Sequence, residues 1–316
     1  MRFDELDIPK DVAEALEEKG FINLHPHQEK AIPIALEGQS LVVSVPTASG
    51  KSVIGYIPAM KKVLEEKKRV LYIVPLKALA SEKRDDLDSF SHLGFNVAMS
   101  VGDLDSDGGR ISDADIIVAT SEKADSMIRH GNRWMDSVGL VIADEIHMIH
   151  DPGRGPTLEV TLTKLMKRNP SLQIIALSAT ISNALDLALW LDAELVVDDW
   201  RPIPLKEGVF FDGEITFDDM SRKEVPREKD PIWGLVRQTV EEGGQCLVFV
   251  NARRSTEALA VRFSGDMSKL AGRALSKQES AILEGGAEPT TLGKKLAGCI
   301  ASGTAFLNAG LTHRQR

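Results

Sequence analysis

The stretch Pro46-Thr47-Ala48-Ser49-Gly50-Lys51-Ser52 sets a lysine and a hydroxyl directly behind a run of small residues. Small side chains let successive backbone N–H groups close around a phosphate, and a helix opening at Gly-Lys-Ser aims its positive end at the same anion. In such a loop Thr47, Ala48, Ser49 and Gly50 form the cradle. Lys51 reaches the β- and γ-phosphates, and the Ser52 hydroxyl binds Mg²⁺. The general phosphate-loop pattern has glycine where this chain has Val45, so a tight structural turn stays open for the segment alone. The second group is Asp144-Glu145-Ile146-His147, after the apolar run Leu140–Ala143. Carboxylates at the end of a buried strand are costly unless they face a polar crevice. Asp144 suits a metal, and Glu145 suits orienting and deprotonating an attacking water. An N-capping aspartate with an acidic first turn explains the charges but not the upstream loop. A third stretch, Ser178-Ala179-Thr180, also follows an apolar run. Its hydroxyls either bond Asp144 and relay nucleotide state or cap the next helix, and the local sequence leaves both open.

Elements that hold such groups at strand ends alternate along the chain. Leu41–Val45, Arg69–Val74, Asn96–Ser100, Ile116–Ala119, Leu140–Ala143 and Gln173–Leu177 are short, β-branched and without polar alternation. That is the pattern of parallel strands covered on both faces. In Thr157–Arg168, Leu158, Leu162, Leu165 and Met166 recur at helical spacing and predict a core-facing helix. Trp200-Arg201-Pro202-Ile203-Pro204 stiffens the backbone and marks a boundary, giving domains over 1–200 and 201–316. Beyond it, Asp218–Pro231 reads as an exposed loop, Ile232–Glu242 as a helix, Cys246–Val250 as a strand and the stretch from Ser255 as a helix. Lys61, Lys62, Lys67, Lys68 and Arg69 are mixed with Glu65 and Glu66, as on a solvated helix end. His25 and His27 flank Pro26 with no further ligand nearby and read as structural.

Composition narrows the possible functions. The 316 residues suggest about two domains at ~150 residues each. With 43% apolar and 27% charged residues, the chain reads as globular rather than disordered. No apolar run reaches the ~18 residues of a bilayer-spanning helix, and the acidic N-terminus does not resemble a secretory signal. Cys246 and Cys299 are the only cysteines, which argues against a disulfide framework, a cysteine-rich zinc site or an iron–sulfur cluster and fits a cytoplasmic setting. The net charge of −9 means that any nucleic acid is held by a local groove rather than by bulk charge.

Taken together, the ordered motifs resemble those of superfamily-two DExH-box helicases of the superkiller-like branch, and within it the archaeal Holliday-junction-migration repair helicases. Pro46–Ser52, Asp144–His147 and Ser178–Thr180 resemble motifs I, II and III. Pro75–Ala80 is similar to motif Ia, Thr120–Lys123 to motif Ib, Leu24–Gln28 to the adenine-side Q motif and Phe249–Arg254 to motif IV. Arg154–Glu159 and Trp200–Leu205 match the RGPTLE and WRPxPL stretches of that branch. In Ala305–Leu311, Leu307 and Asn308 replace the two histidines of the family's AFHHAGL segment.

The resemblance implies an α/β fold: a RecA-like parallel sheet flanked by helices, of the P-loop NTPase kind, followed by an incomplete second RecA-like lobe. It implies ATP and Mg²⁺ as cofactors. Gln28 would read adenine, and His147, Ser178 and Thr180 would couple hydrolysis to lobe movement. Pro75, Lys77, Ala78, Gly102, Thr120, Ser121, Glu122, Asn251 and Arg253 would line a phosphate track for single-stranded or forked DNA. RNA is the alternative strand, and a non-hydrolysing nucleic-acid-binding module the alternative function. Motifs V and VI do not occur before Arg316. An arginine supplied across the cleft is worth ~10³–10⁵ in rate, so the expectation is a chain that binds ATP but hydrolyses it weakly. The full enzyme is expected to be a monomer, and this chain to cover an unfinished sheet edge by intermolecular pairing, by domain swapping or by rearranged C-terminal helices.

Overall fold

The apolar runs become neighbouring strands of one sheet. The computed structural model describes residues 1–102, 108–270, 290–312 and 315, which fall into two compact units, Met1–Pro204 and Leu205–Arg316. In the first unit, β1 (Leu41–Ser44), β2 (Arg69–Val74), β3 (Val97–Ser100), β4 (Ile116–Thr120), β5 (Val138–Ala143), β6 (Gln173–Ser178) and β7 (Glu194–Val197) pair in the order β3-β4-β2-β5-β6-β1-β7. Every pairing is parallel. Each of the six expected strands is present, with ends shifted by two residues or fewer. β7 was not expected, because Glu194-Leu195-Val196-Val197 is a half-exposed edge with only Val196 buried.

The strands lack polar alternation because both faces are covered. Along β2, Val70, Tyr72 and Val74 join one apolar cluster, while Leu71 and Ile73 join the other. The first cluster is closed by α1 (Lys10–Glu18), α2 (Pro26–Leu36), α3 (Ser52–Leu64) and α4 (Lys77–Asp88), through Leu16, Ile32, Ile54 and Leu87 among others. The second is covered by α6 (Ser121–Arg129), α7 (Gly155–Arg168) and α8 (Ala184–Leu191), with α5 (Gly108–Asp113) between β3 and β4. On α7 the predicted stripe is inward, with Leu158, Leu162 and Leu165 buried and Met166 packed at the margin. Each such leucine removed from water contributes ~1.5–3 kcal/mol. The helix can begin where it does only because residue 155 is glycine. A Cβ there would lie 2.0 Å from the Ile149 carbonyl oxygen.

The second unit contains an antiparallel meander of β8 (Gly208–Phe211), β9 (Glu214–Phe217) and β10 (Arg222–Glu224), followed by α9 (Pro231–Glu241), α10 (Arg253–Leu270) and α11 (Thr291–Ala301). Two expectations are corrected here. The exposed loop over Asp218–Pro231 contains β10, which pairs with β9 from Arg222↔Thr216 to Glu224↔Glu214. Cys246–Val250 is not a strand, and Leu247 and Phe249 are 80% and 87% exposed. A strand forms only with a partner, and no described strand lies beside these residues. Asp230 caps α9, its side chain accepting from the Ile232 N–H. Asn308 is tied to α10: its Nδ2 lies 3.4 Å from Thr256 Oγ1 and 3.3 Å from Glu257 Oε1, and its Oδ1 accepts from the Gly310 N–H. Among the described residues no helix is long and apolar enough to cross a membrane.

Candidate active site

Parallel pairing brings the C-terminal ends of β1, β2, β5 and β6 to one edge of the sheet, the usual location of an α/β crevice. The small-residue loop leaves β1 there. Val45 occupies the place of the absent glycine without strain: it is fully buried and its N–H still donates to the Ser178 carbonyl at 3.2 Å. The left-handed backbone comes later, at Ala48 (φ 61°) and Gly50 (φ 82°). For alanine this conformation costs of order 1–2 kcal/mol, a cost that tends to be kept at functional turns.

Gln28 braces this loop from α2. Its Oε1 accepts from the His25 N–H at 2.8 Å, and its Nε2 donates to the Gly50 carbonyl at 2.9 Å. A Cβ on Gly50 would stand 3.0 Å from that Nε2. His25 stacks on Trp200 with ring centroids 4.3 Å apart, so the end of the first unit returns to this side of the loop. Burial lowers the pKa of both His25 and His27, in keeping with their structural reading. Thr47 and Ala48 are exposed, whereas the Ser49 hydroxyl is buried without a hydrogen-bond partner among the described residues.

Lys51 precedes α3 and is 7% exposed. Its Nζ lies 2.9 Å from Glu145 Oε1, an ion pair without hydrogen-bond directionality. Glu145 itself adopts φ 52°, ψ 44°, a left-handed turn directly after β5. Its other oxygen, Oε2, is 3.3 Å from His147 Nδ1, and the same nitrogen lies 3.4 Å from the Ala179 N–H. One ring nitrogen serves one of these at a time: protonated, it donates to Glu145, and bare, it accepts from Ala179. Burial lowers the His147 pKa against the pull of the Glu145 carboxylate, which favours the neutral ring.

Asp144 is buried at the end of β5. The Tyr72 hydroxyl donates to its Oδ2 at 2.9 Å and the Glu145 N–H to its Oδ1 at 3.0 Å. Burial raises its pKa, while Lys83 and the Tyr72 hydrogen bond pull it back. Lys83, on α4, donates to Ser52 Oγ at 3.0 Å. Tyr72 and Lys83 were not singled out from the sequence. The only signal was a polar-tipped aromatic inside the aliphatic run Val70–Val74, which needs a partner when buried.

The structure thus brings Gln28, the loop residues, Lys51, Ser52, Asp144, Glu145 and His147 together. Among the described residues the Ser178 and Thr180 hydroxyls neither bond Asp144 nor cap the next helix. Ser178 Oγ is buried without a hydrogen-bond partner among the described residues, Thr180 is exposed, and Asp144 Oδ2 accepts from Tyr72. The link from this stretch runs through backbone instead. The Ala179 N–H faces His147, and Ser44 Oγ donates to the Ala179 carbonyl and accepts from the Ile181 N–H, each at 3.3 Å.

Of the expected strand-track residues, Lys77, Ala78 and Glu122 are exposed, Pro75 and Gly102 are half-buried, and Thr120 and Ser121 are buried. Arg154 Nη1 donates to the Pro75 carbonyl at 3.1 Å, and Lys123 Nζ to that of Gly102 at 3.3 Å. Asn251 and Arg253 are exposed in the second unit.

A buried, incompletely bonded lysine, an orphaned serine hydroxyl and a helix N-terminus behind a left-handed turn fit a polyphosphate. One hydroxyl and one carboxylate beside it fit Mg²⁺, which keeps waters and phosphate oxygens as its other ligands. A cage of three or more His, Cys, Asp or Glu is absent among the described residues.

Residues 25–187 match the DEAD/DEAH box helicase family. The whole chain is 45% identical to the ATP-dependent DNA helicase Hel308 of Methanocella arvoryzae, covering 44% of that protein. It is 42% identical to the protein of the same name from Thermococcus kodakarensis, covering 28% of it. The crystal structure of the DUF1998 helicase MrfA bound to DNA superposes with a TM-score of 0.68 at 19% identity, over 93% of this chain and 44% of that one. The last likeness is one of fold. The chain spans less than half the length of these relatives.

Proposed function

The chain belongs to the DEAD/DEAH box helicase family, and from that premise we propose that it is the ATP-binding motor portion of a DNA helicase acting in repair or recombination. The convergence of Lys51, Ser52, Asp144 and Glu145 at one end of the sheet carries this reading. Gln28, which bonds the Gly50 carbonyl of the loop, is the residue assigned to reading adenine. Thr47, Ala48, Ser49 and Gly50 offer backbone N–H groups to the phosphates, and Lys51 gives up its contact with Glu145 to neutralise them. Ser52 and Asp144 are the residues that would hold Mg²⁺, which when bound would supply charge neutralisation at the transferring phosphoryl group. Glu145, released from Lys51, orients water and accepts its proton. His147 then turns its Nδ1 toward either Glu145 or Ala179, so the state of the carboxylate reaches the Ser178–Thr180 stretch. Pro75, Lys77, Ala78, Gly102, Thr120, Ser121 and Glu122 provide a strand track on the first unit, and Asn251 and Arg253 are strand contacts of the second unit taken by itself. Backbone and a lysine there position a strand without reading its bases.

The 40–45% identity to proteins named ATP-dependent DNA helicases favours DNA over RNA. Because the chain spans under half of those proteins, we propose weak hydrolysis by these 316 residues alone. The test is Mg-ATP binding and strand-stimulated hydrolysis, with Lys51→Ala and Glu145→Gln as controls and DNA compared with RNA. Lys51→Ala is expected to abolish tight binding, and Glu145→Gln to spare binding and abolish turnover. Unchanged affinity and turnover in both variants would sink the motor reading.

A further inference from the structure

Lys83 lies outside every motif discussed above. It is on α4, 9% exposed, with its ammonium 3.0 Å from Ser52 Oγ. The contact joins a helix that begins at Lys77 to the first residue of the helix that follows the phosphate loop. A second bond joins the same two helices, from the Tyr56 hydroxyl to Asp86 Oδ2 at 2.8 Å. Lys83 Nζ also reaches Glu82 Oε1 at 3.2 Å, and the Glu82 side chain is 58% exposed. The ammonium is therefore shared between the interior hydroxyl and a carboxylate at the surface.

We propose that Lys83 is a placeholder cation, a positioning residue that holds Ser52 and balances Asp144 in the absence of nucleotide and yields the hydroxyl to the divalent cation by moving toward Glu82. The argument rests on the ATP–Mg²⁺ reading of this site. A buried carboxylate without a compensating positive charge is costly, and Lys83 is among the cations whose field acts on Asp144. The oxygen assigned to the metal is already engaged by an ammonium, and two cations on one oxygen repel each other. Glu82 gives the displaced ammonium a partner within reach of the same side chain. Metal loading and the seating of α4 thus compete for one hydroxyl.

The experiment titrates Mg²⁺ against a fluorescent ADP analogue bound to the full chain, for wild type, Lys83→Met and Lys83→Arg. With the competitor removed, Lys83→Met is expected to reach half-maximal binding at roughly tenfold lower Mg²⁺, as expected for loss of one nearby like charge. Lys83→Arg is expected to restore the wild-type midpoint, which a packing role would not predict. Should the methionine variant fail to fold, Lys83→Gln removes the charge while keeping a donor to Ser52. An equal or higher Mg²⁺ midpoint in the neutral variant overturns the proposal and leaves the nucleotide site standing. Absence of Mg²⁺-dependent binding in wild type overturns the site itself, and the placeholder role with it.

Discussion

Tyr72 and Asp144 meet across adjacent strands, the phenol of β2 donating at 2.9 Å to a carboxylate that begins where β5 ends. The tyrosine is fully buried, and its own pKa is pushed well above the ordinary value by burial and by that carboxylate. It therefore stays a donor at every pH of interest. Its effect on Asp144 is to favour the ionised form that a metal needs.

Tyr72→Phe keeps the ring and removes this one bond. The Asp144 pKa then rises further, so the acid limb of the hydrolysis profile is expected to move to higher pH. Loss of the hydrogen bond is expected to cost ~1 kcal/mol of stability. A pH–rate profile and urea unfolding check the two effects separately.

Asp144→Asn is expected to stabilise the metal-free protein while abolishing turnover. The folded-state pKa of Asp144 is raised by burial. A raised carboxyl favours folding below its unfolded value of 3.8 and loses that contribution as pH rises through the folded value. At pH 7 the charge is a liability that asparagine lacks. The expected outcome is a rise in Tm of the metal-free protein, read by calorimetry in chelator; an unchanged or lower Tm would show that Lys83 and Lys51 already offset the carboxylate.

These residues also show how far the amino-acid order reveals the site. Lys51, Ser52, Asp144 and Glu145 were legible because their chemistry is local: each lies at a strand end marked by an apolar run. Tyr72 and Lys83 were not, since their partners lie 72 and 31 positions away and neither sits in a turn. At the Ser178–Thr180 stretch the visible contact to His147 is made by the Ala179 amide, whose direction a sequence does not display. Cys246–Val250 has the composition of a strand, but composition does not supply the neighbour that makes one.

Acid should loosen the fold through histidines. His27 is fully buried, and burial holds its pKa below 6.5, with His25 adding to the depression. The unfolded chain therefore takes up more protons near and below that value, and stability falls as pH drops below about 6.5. His27→Leu is expected to flatten this part of the stability–pH curve, measured by denaturant midpoints from pH 8 to pH 5.

Gly155→Ala places a Cβ against a backbone carbonyl and is expected to cost ~3 kcal/mol or more, or to shift the start of α7. Gly153→Ala, whose Cβ meets only an Asp151 side-chain oxygen at 3.3 Å, is expected to cost under ~1 kcal/mol. Paired denaturation curves separate the two.

The valine at position 45 bears on how the loop moves. Its side chain is sealed in the core and its amide is engaged by the neighbouring strand. Rearrangement around an incoming ligand is therefore confined to the short span from Thr47 to Gly50, between that anchor and the first turn of α3. So short a lever admits a click between a few torsional settings rather than a swing, and its pivots are the left-handed Ala48 and Gly50.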